Sequence, residues 1–268
     1  MKKTLSVIAL MLAITIMFSI NAYAFAIPSY QDIDGYSWAS EAIYRMYRDR
    51  IMLGWSSEQF APEGSVTVAE FATTAYRMAG CPAVPEKSDK YDIVSGNKSE
   101  SYWANDTITW AVQNGVIETA YLVVAEVIFG ESHNGYHFSN HRFAIYPDSF
   151  ETTAFGFMKL TRREIVLGLY FFAEYMNANR EDIADISGFS DCADLKGKMN
   201  PISNYMSYDY IDNRANEYVN LDPVDVFGWA VAAGIIKGYD DNTLRPNEYV
   251  TRAEYAVMLD RFLGYIGK

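Results

Sequence analysis

Displaced against itself by 184 residues, the chain repeats: residues 50–78 fall on 234–262 without a gap. Ile51 meets Ile235, Gly54 meets Gly238, Trp55 meets Tyr239 and Pro62 meets Pro246. Val66-Thr67 meets Val250-Thr251, Ala69-Glu70 meets Ala253-Glu254, Phe71 meets Tyr255 and Arg77 meets Arg261. Matches at glycines, prolines and motif positions mark an internal repeat, and a repeat restricts the fold more than composition does. A third copy lies between these two. Residues 110–117 (Trp-Ala-Val-Gln-Asn-Gly-Val-Ile) match 229–236 (Trp-Ala-Val-Ala-Ala-Gly-Ile-Ile), and Thr161-Arg162-Arg163-Glu164 matches Thr251-Arg252-Ala253-Glu254. The middle copy has 43 residues between Ile117 and Thr161 where the last has 14 between Ile236 and Thr251, an insertion of 29.

Each copy reads as helix, turn, helix. The first helices are predicted over 38–49, 103–114 and 223–233. Asp222 serves as N-cap, and Pro223 fits the first helical position, where a missing N–H costs nothing. Gly115 and Gly234 suit left-handed C-terminal caps. An apolar pair and Gly-aromatic follow (Gly54-Trp55, Gly238-Tyr239), then a turn at Asp240-Asp241-Asn242. Thr67, Thr161 and Thr251, each with Glu70, Glu164 or Glu254 three residues later, form reciprocal Thr-x-x-Glu capping boxes that open the second helices. Ile165, Leu169 and Phe172, and Tyr255, Leu259 and Phe262, lie at helical spacing. Trp38, Trp103, Trp110 and Trp229 occupy apolar helical positions and are expected in the core. The class is mainly α.

The chain divides into a leader over 1–24, a first repeat over 25–80, a second over 81–180 with an insertion at about 118–160, and a third over 181–268 with an insertion at about 192–221. Lys2 and Lys3 followed by an uncharged apolar run from Leu5 to Ile20 and Ala22-Tyr23-Ala24 have the pattern of a secretory signal peptide. An uncleaved anchor is the alternative, but the run falls short of the ~20 residues that a spanning helix needs. On the signal-peptide reading the mature chain is secreted and has no membrane span. The formal net charge of −12 becomes −14 on loss of Lys2 and Lys3, which disfavours nucleic acid as a partner. Cys81 and Cys192 could pair outside the cytosol or stay free, and sequence does not place their Cα atoms. His133, His137 and His141 are spaced like ligands on a helix, but Asn134-Gly135 and Ser139-Asn140 favour a loop. No metal, cofactor, nucleophile or phosphate-loop motif emerges, and a non-enzyme is expected.

The pattern resembles the S-layer homology domain family. Its repeat opens aromatic-x-Asp, continues with Trp-Ala, then Gly-Ile-Ile-x-Gly-Tyr-x-Asp-x-Thr-Phe-x-Pro, and closes on Ile-Thr-Arg-Ala-Glu. The third copy matches at residues 234–246 (Gly-Ile-Ile-Lys-Gly-Tyr-Asp-Asp-Asn-Thr-Leu-Arg-Pro) and 250–254 (Val-Thr-Arg-Ala-Glu). The first keeps Tyr30-Gln31-Asp32, Trp38-Ala39, Gly54-Trp55, Pro62 and residues 66–70 (Val-Thr-Val-Ala-Glu); the second keeps Trp103-Ala104 and residues 160–164 (Leu-Thr-Arg-Arg-Glu). The resemblance implies three repeats in one pseudo-threefold helical bundle that anchors to an acidic, commonly pyruvylated, secondary cell-wall polysaccharide. It also implies that Arg252 and Arg162 bind the anionic group, since a guanidinium pairs bidentately with a carboxylate and free N–H groups of a helix first turn add positive potential. Gly238-Tyr239 and Gly54-Trp55 would wall the grooves, and Asp32, Asp191 and Asp240 would accept from sugar hydroxyls. Val68 stands where the first copy should have its arginine. The second expectation is a cell-surface interaction protein that docks a protein partner through its aromatic-rich insertions, with Phe129, Tyr136, Phe138, Phe143, Tyr146, Phe150, Phe155 and Phe157 in the first and Tyr205, Tyr208, Tyr210 and Tyr218 in the second.

Overall fold

All three predicted capping boxes form, and each starts a helix. The computed structural model describes residues 28–84, 103–117, 156–157, 159–195 and 221–267. The leader and the three histidines lie outside these residues. So do the insertion aromatics apart from Phe157, which is exposed. The helices are α1 (Ser37–Arg48), α2 (Val68–Met78), α3 (Asn105–Gln113), α4 (Arg162–Tyr175), α5 (Pro223–Ala232) and α6 (Arg252–Tyr265), with a 3-10 turn at Cys192–Leu195 between α4 and α5. The described part is mainly helical. In α2, α4 and α6 the threonine side chain accepts from the backbone N–H of the glutamate three residues on, and that glutamate accepts from the threonine N–H. Asp222 caps α5 by accepting from Val224 N–H, with Pro223 at the first position. Helix α3 begins at Asn105, two residues later than predicted, because Trp103 and Ala104 lie in a turn. The left-handed positions after the first helices are Gly115 (φ 69°) and Gly234 (φ 70°), and in the first copy Arg50 takes the same conformation (φ 58°).

The three capping segments meet. Val66 N–H donates to Val250 O (2.9 Å), Val250 N–H to Leu160 O (3.1 Å) and Leu160 N–H to Val66 O (2.9 Å), a closed ring of backbone hydrogen bonds among three buried residues. Bridges Ser65–Thr251, Thr67–Lys159 and Thr161–Tyr249 run through the same residues in the same cyclic order. The helices follow suit, since the main packing pairs are α1 with α6, α3 with α2 and α5 with α4. The first helix of each copy therefore lies on the second helix of the copy before it, and the first copy closes onto the last.

Two tryptophans fill two of these seams. Trp110 lies between Tyr76 of α2 (5.4 Å between ring centroids) and Tyr175 of α4 (5.3 Å), both edge-on. Trp229 lies likewise between Tyr170 of α4 (5.2 Å) and Tyr265 of α6 (5.8 Å). In the α1–α6 seam the matching positions carry Arg45, Asp260 and Cys81, and Arg45 Nη1 pairs with Asp260 Oδ1 at 2.8 Å. Trp110 and Trp229 are buried as expected, but Trp38 and Trp103 are 58% and 59% exposed, which corrects the core assignment for that pair. The core-facing neighbours are Ala39 and Ala104, both fully buried. Cys81 and Cys192 are both free thiols, the first exposed and the second buried. Among the described residues no helix is long and apolar enough to cross a membrane.

Candidate functional site

The opening aromatic-x-Asp motifs build the loops that precede α2 and α6. Asp32 accepts from Phe60 N–H (2.9 Å) and Ala61 N–H (2.7 Å), and Asp191 accepts from Leu244 N–H (2.8 Å) and Arg245 N–H (2.7 Å). Ala61 (φ 60°) and Arg245 (φ 50°) are left-handed, so successive N–H groups converge and a carboxylate holds an otherwise strained turn. Each carboxylate oxygen of these two aspartates thus takes one backbone N–H, and both side chains stay partly exposed. A Cβ on Gly54 would strike Tyr30, and one on Gly238 would strike Phe189, so each glycine seats the ring that opens its own repeat. Gly54 N–H also donates to the Tyr30 hydroxyl (2.9 Å). Asp240 is exposed, as is Trp55 at 68%.

The arginines at the first position of α4 and α6 each reach across to the loop of the next copy. Arg252 is 2% exposed. Its Nε donates to Phe60 O (2.9 Å), its Nη2 to Leu53 O (2.7 Å), and its Nη1 pairs with Glu70, the capping glutamate of the first copy. Burial pulls its pKa below the ordinary arginine value, and the Glu70 charge opposes that. Arg252 is thus a buried clamp, with no nitrogen left without a protein partner.

Arg162 differs. It is 7% exposed, its Nη1 donates to the Tyr239 hydroxyl (3.1 Å), and its buried Nε has no hydrogen-bond partner. No ion pair joins it to a carboxylate among the described residues. The guanidinium lies 4.9 Å from the Tyr239 ring centroid, and Arg245 lies 4.0 Å from the same ring. Tyr239 in turn donates to Glu254, the capping glutamate of the third copy. Burial pushes the Tyr239 hydroxyl up to about 12, the Arg162 charge opposing and the Glu254 bond adding to the rise. Burial also pushes Glu254 upward, but bonds from Tyr239 and Thr251 and the Arg162 charge outweigh it and hold the carboxyl below its ordinary value. Arg245 sits at the rim, paired with Asp241 (2.9 Å) and Glu248 (3.5 Å).

In the same cyclic order Glu164 would draw its cation from position 68, where the chain has Val68. Glu164 accepts from Thr161 N–H (2.6 Å) and Oγ1 (2.8 Å). Burial nevertheless raises its pKa, against those two bonds and the Arg163 charge. At α4 and α6 the first two N–H groups are already taken by the protein. Arg252 and Ala253 N–H donate to Gly64 O (2.8 Å) and Pro62 O (3.1 Å), and Arg162 and Arg163 N–H to Glu248 O (2.8 Å) and Pro246 O (2.9 Å). Any anion held here is therefore held by side chains. Sequence reasoning missed Arg245, although it sits one residue before Pro246 in the matched loop. It also missed Arg163, which replaces the motif's alanine, is 5% exposed and donates to Asp194 O (2.8 Å).

Among the described residues, no cluster of His, Cys, Asp and Glu could hold a metal ion. No curated protein matches the sequence. The family model of the S-layer homology domain matches residues 29–72 and 224–256, which hold the Tyr30–Gly54 loop, the Trp229 helix, the Tyr239 loop and both ends of the Arg252–Glu70 clamp. The chain carries S-layer homology domains.

Proposed function

We propose that the chain is a secreted, non-catalytic wall anchor whose three repeats form one pseudo-threefold bundle. Its working groove lies between the second and third repeats. S-layer homology domains generally mediate cell-wall anchoring. The closed ring at Val66, Leu160 and Val250 supports the threefold arrangement. The observation that carries the groove is Arg162, a guanidinium more than nine-tenths buried, with an unpartnered Nε and, among the described residues, no carboxylate in a direct ion pair. Its nearest counter-charge, Glu254, is reached only through the Tyr239 hydroxyl, so a carboxylate on a wall saccharide, such as a pyruvyl ketal, would gain from pairing with the guanidinium directly. Tyr239 and exposed Asp240 supply an aromatic face and a hydroxyl acceptor beside it. Arg252 serves this reading as a clamp between the third and first repeats and not as a ligand group.

The test is co-sedimentation of the mature chain, from Phe25, with purified wall sacculi, before and after removal of the acidic secondary polymer. Binding should need the polymer and be lost in Arg162→Ala. Binding by Arg162→Ala equal to wild type would overturn the groove assignment, and failure of the folded wild type to bind would overturn the anchor.

A further inference from the structure

We propose that the first repeat carries a second saccharide surface, an aromatic track of Trp55, Tyr36 and Trp38 around Glu63, which takes uncharged, hydroxyl-rich sugar rings. The proposal rests on the reading of the partner as a wall polysaccharide and adds a chemically different contact to it. The surface is continuous. Gly64 carries no side chain, and a Cβ there would lie 3.4 Å from Trp55 Cζ2, so the indole leans over the Glu63–Gly64 turn. The Tyr36 hydroxyl donates to Glu63 Oε1 (2.7 Å), and the Tyr36 and Trp38 rings lie 6.3 Å apart. Trp55 is 68% exposed and Trp38 58% exposed, and Glu63 is exposed between them.

The chemistry selects the occupant. Indole and phenol rings offer flat apolar faces with polar edges, which suit the C–H face of a pyranose ring and leave its hydroxyls free. Glu63 is an acceptor already oriented by Tyr36 and has room to take a sugar hydroxyl. An anionic substituent is disfavoured, because Glu63 is itself negative and Arg252, whose Cδ would lie 3.2 Å from a Cβ on Gly64, is turned inward to Glu70 and two carbonyls. A flat apolar protein partner is also disfavoured, since it would bury Glu63 against hydrocarbon. The two surfaces therefore divide the polymer, with the Arg162 groove reading its acidic substituent and the track reading its uncharged sugars.

The experiment is titration calorimetry of the mature chain with soluble wall polysaccharide, native and after mild acid removal of the acidic substituents. Trp55→Ala and Trp38→Ala should each weaken binding about tenfold for both forms of the polymer. Trp103→Ala, equally exposed on the second repeat but outside the track, should bind as wild type. Arg162→Ala should weaken binding of the native polymer only. All four side chains replaced are checked by circular dichroism for an unchanged fold. Wild-type affinity for both polymers in Trp55→Ala and Trp38→Ala would overturn the track while leaving the Arg162 groove standing. Loss in the tryptophan variants with no effect of Arg162→Ala or of acid treatment would uphold the track and overturn the groove. Failure of the wild type to bind either polymer would overturn both.

Discussion

At the scale of single residues, two arginines from one motif have opposite destinies, and the difference lies in what each meets. Arg252 meets Glu70 and two carbonyls, whereas Arg162 meets the face and hydroxyl of Tyr239. Substitution should separate them. Arg252→Met strands a capping carboxylate that is only 17% exposed, and should cost about 3 kcal/mol in urea unfolding, the loss expected on breaking a buried pair from one side. Arg162→Met keeps the volume, gives up a cation–π contact and a bond to tyrosine, and should cost about 1 kcal/mol in the same assay. Equal losses would show that Arg162 is as structural as Arg252. The sequence marks both positions but not their partners. Arg252 and Glu70 lie 182 residues apart, so the pair is created by the cyclic closure and is invisible to any local window. The partners of Gly54, Asp32 and Asp191 are hidden from a local reading for the same reason. Their partners are a ring 24 residues upstream in one case and backbone N–H groups 28 and 53 residues downstream in the others.

At the scale of elements, the capping boxes were fully legible, because threonine and glutamate three residues apart satisfy each other within one turn. What differs is the cation supplied from outside the helix. The Glu254 carboxyl is held below its ordinary value, so it contributes stability above about pH 4.5 that is lost as pH falls through its folded-state pKa. The Glu164 carboxyl is raised, so the opposite holds, and the stability it contributes below about pH 4.5 is lost as pH rises through its folded-state pKa. Glutamine can complete either box but carries no charge. Glu164→Gln should therefore leave stability unchanged or raise it at pH 7, whereas Glu254→Gln should lower it by about 1–2 kcal/mol by weakening a charge-assisted bond. Urea midpoints at pH 7 and pH 4 check both, and the gap between the variants should narrow at the lower pH. A lower midpoint for Glu164→Gln at pH 7 would mean that Glu164 has found a cation of its own. Helix α1 shows where element-level reading stops. Trp38 and Trp110 both lie at apolar helical positions, but only the position facing the neighbouring copy is buried.

At the scale of the whole molecule, the three seams are not equivalent, and the unlike one is where the first copy meets the last. Two seams are closed by a tryptophan against tyrosines on the flanking helices. The third puts Arg45 and Asp260 at those places, each 31% exposed, with the Arg252–Glu70 clamp beside them. The backbone ring and these charges here add to the apolar packing of α1 on α6, whose buried faces include Ile43 and Met46, and Leu259 and Phe262. A pair so exposed contributes about 0.2–1 kcal/mol and is screened by salt, whereas the buried clamp is screened far less. Unfolding of the wild type should accordingly show a modest loss of midpoint between low and 1 M NaCl. Arg45→Trp alone would set an indole against the Asp260 carboxylate, and Asp260→Tyr alone would take from Arg45 its 2.8 Å pair, so each should destabilise. Together they recreate the edge-on aromatic contact of the other seams, worth about 0.5–1.5 kcal/mol beyond its buried area. Cys81 still stands where Tyr175 and Tyr265 stand in the other copies, so one flanking ring is restored and not two. The double variant should therefore regain at least wild-type stability, and the salt dependence of its midpoint should shrink, since the exposed pairs of Arg245 remain. Singles that simply add in the double variant would mean that the α1–α6 seam is not built on the same plan as its two counterparts, and the cyclic equivalence drawn from the ring at Val66, Leu160 and Val250 would fail with it.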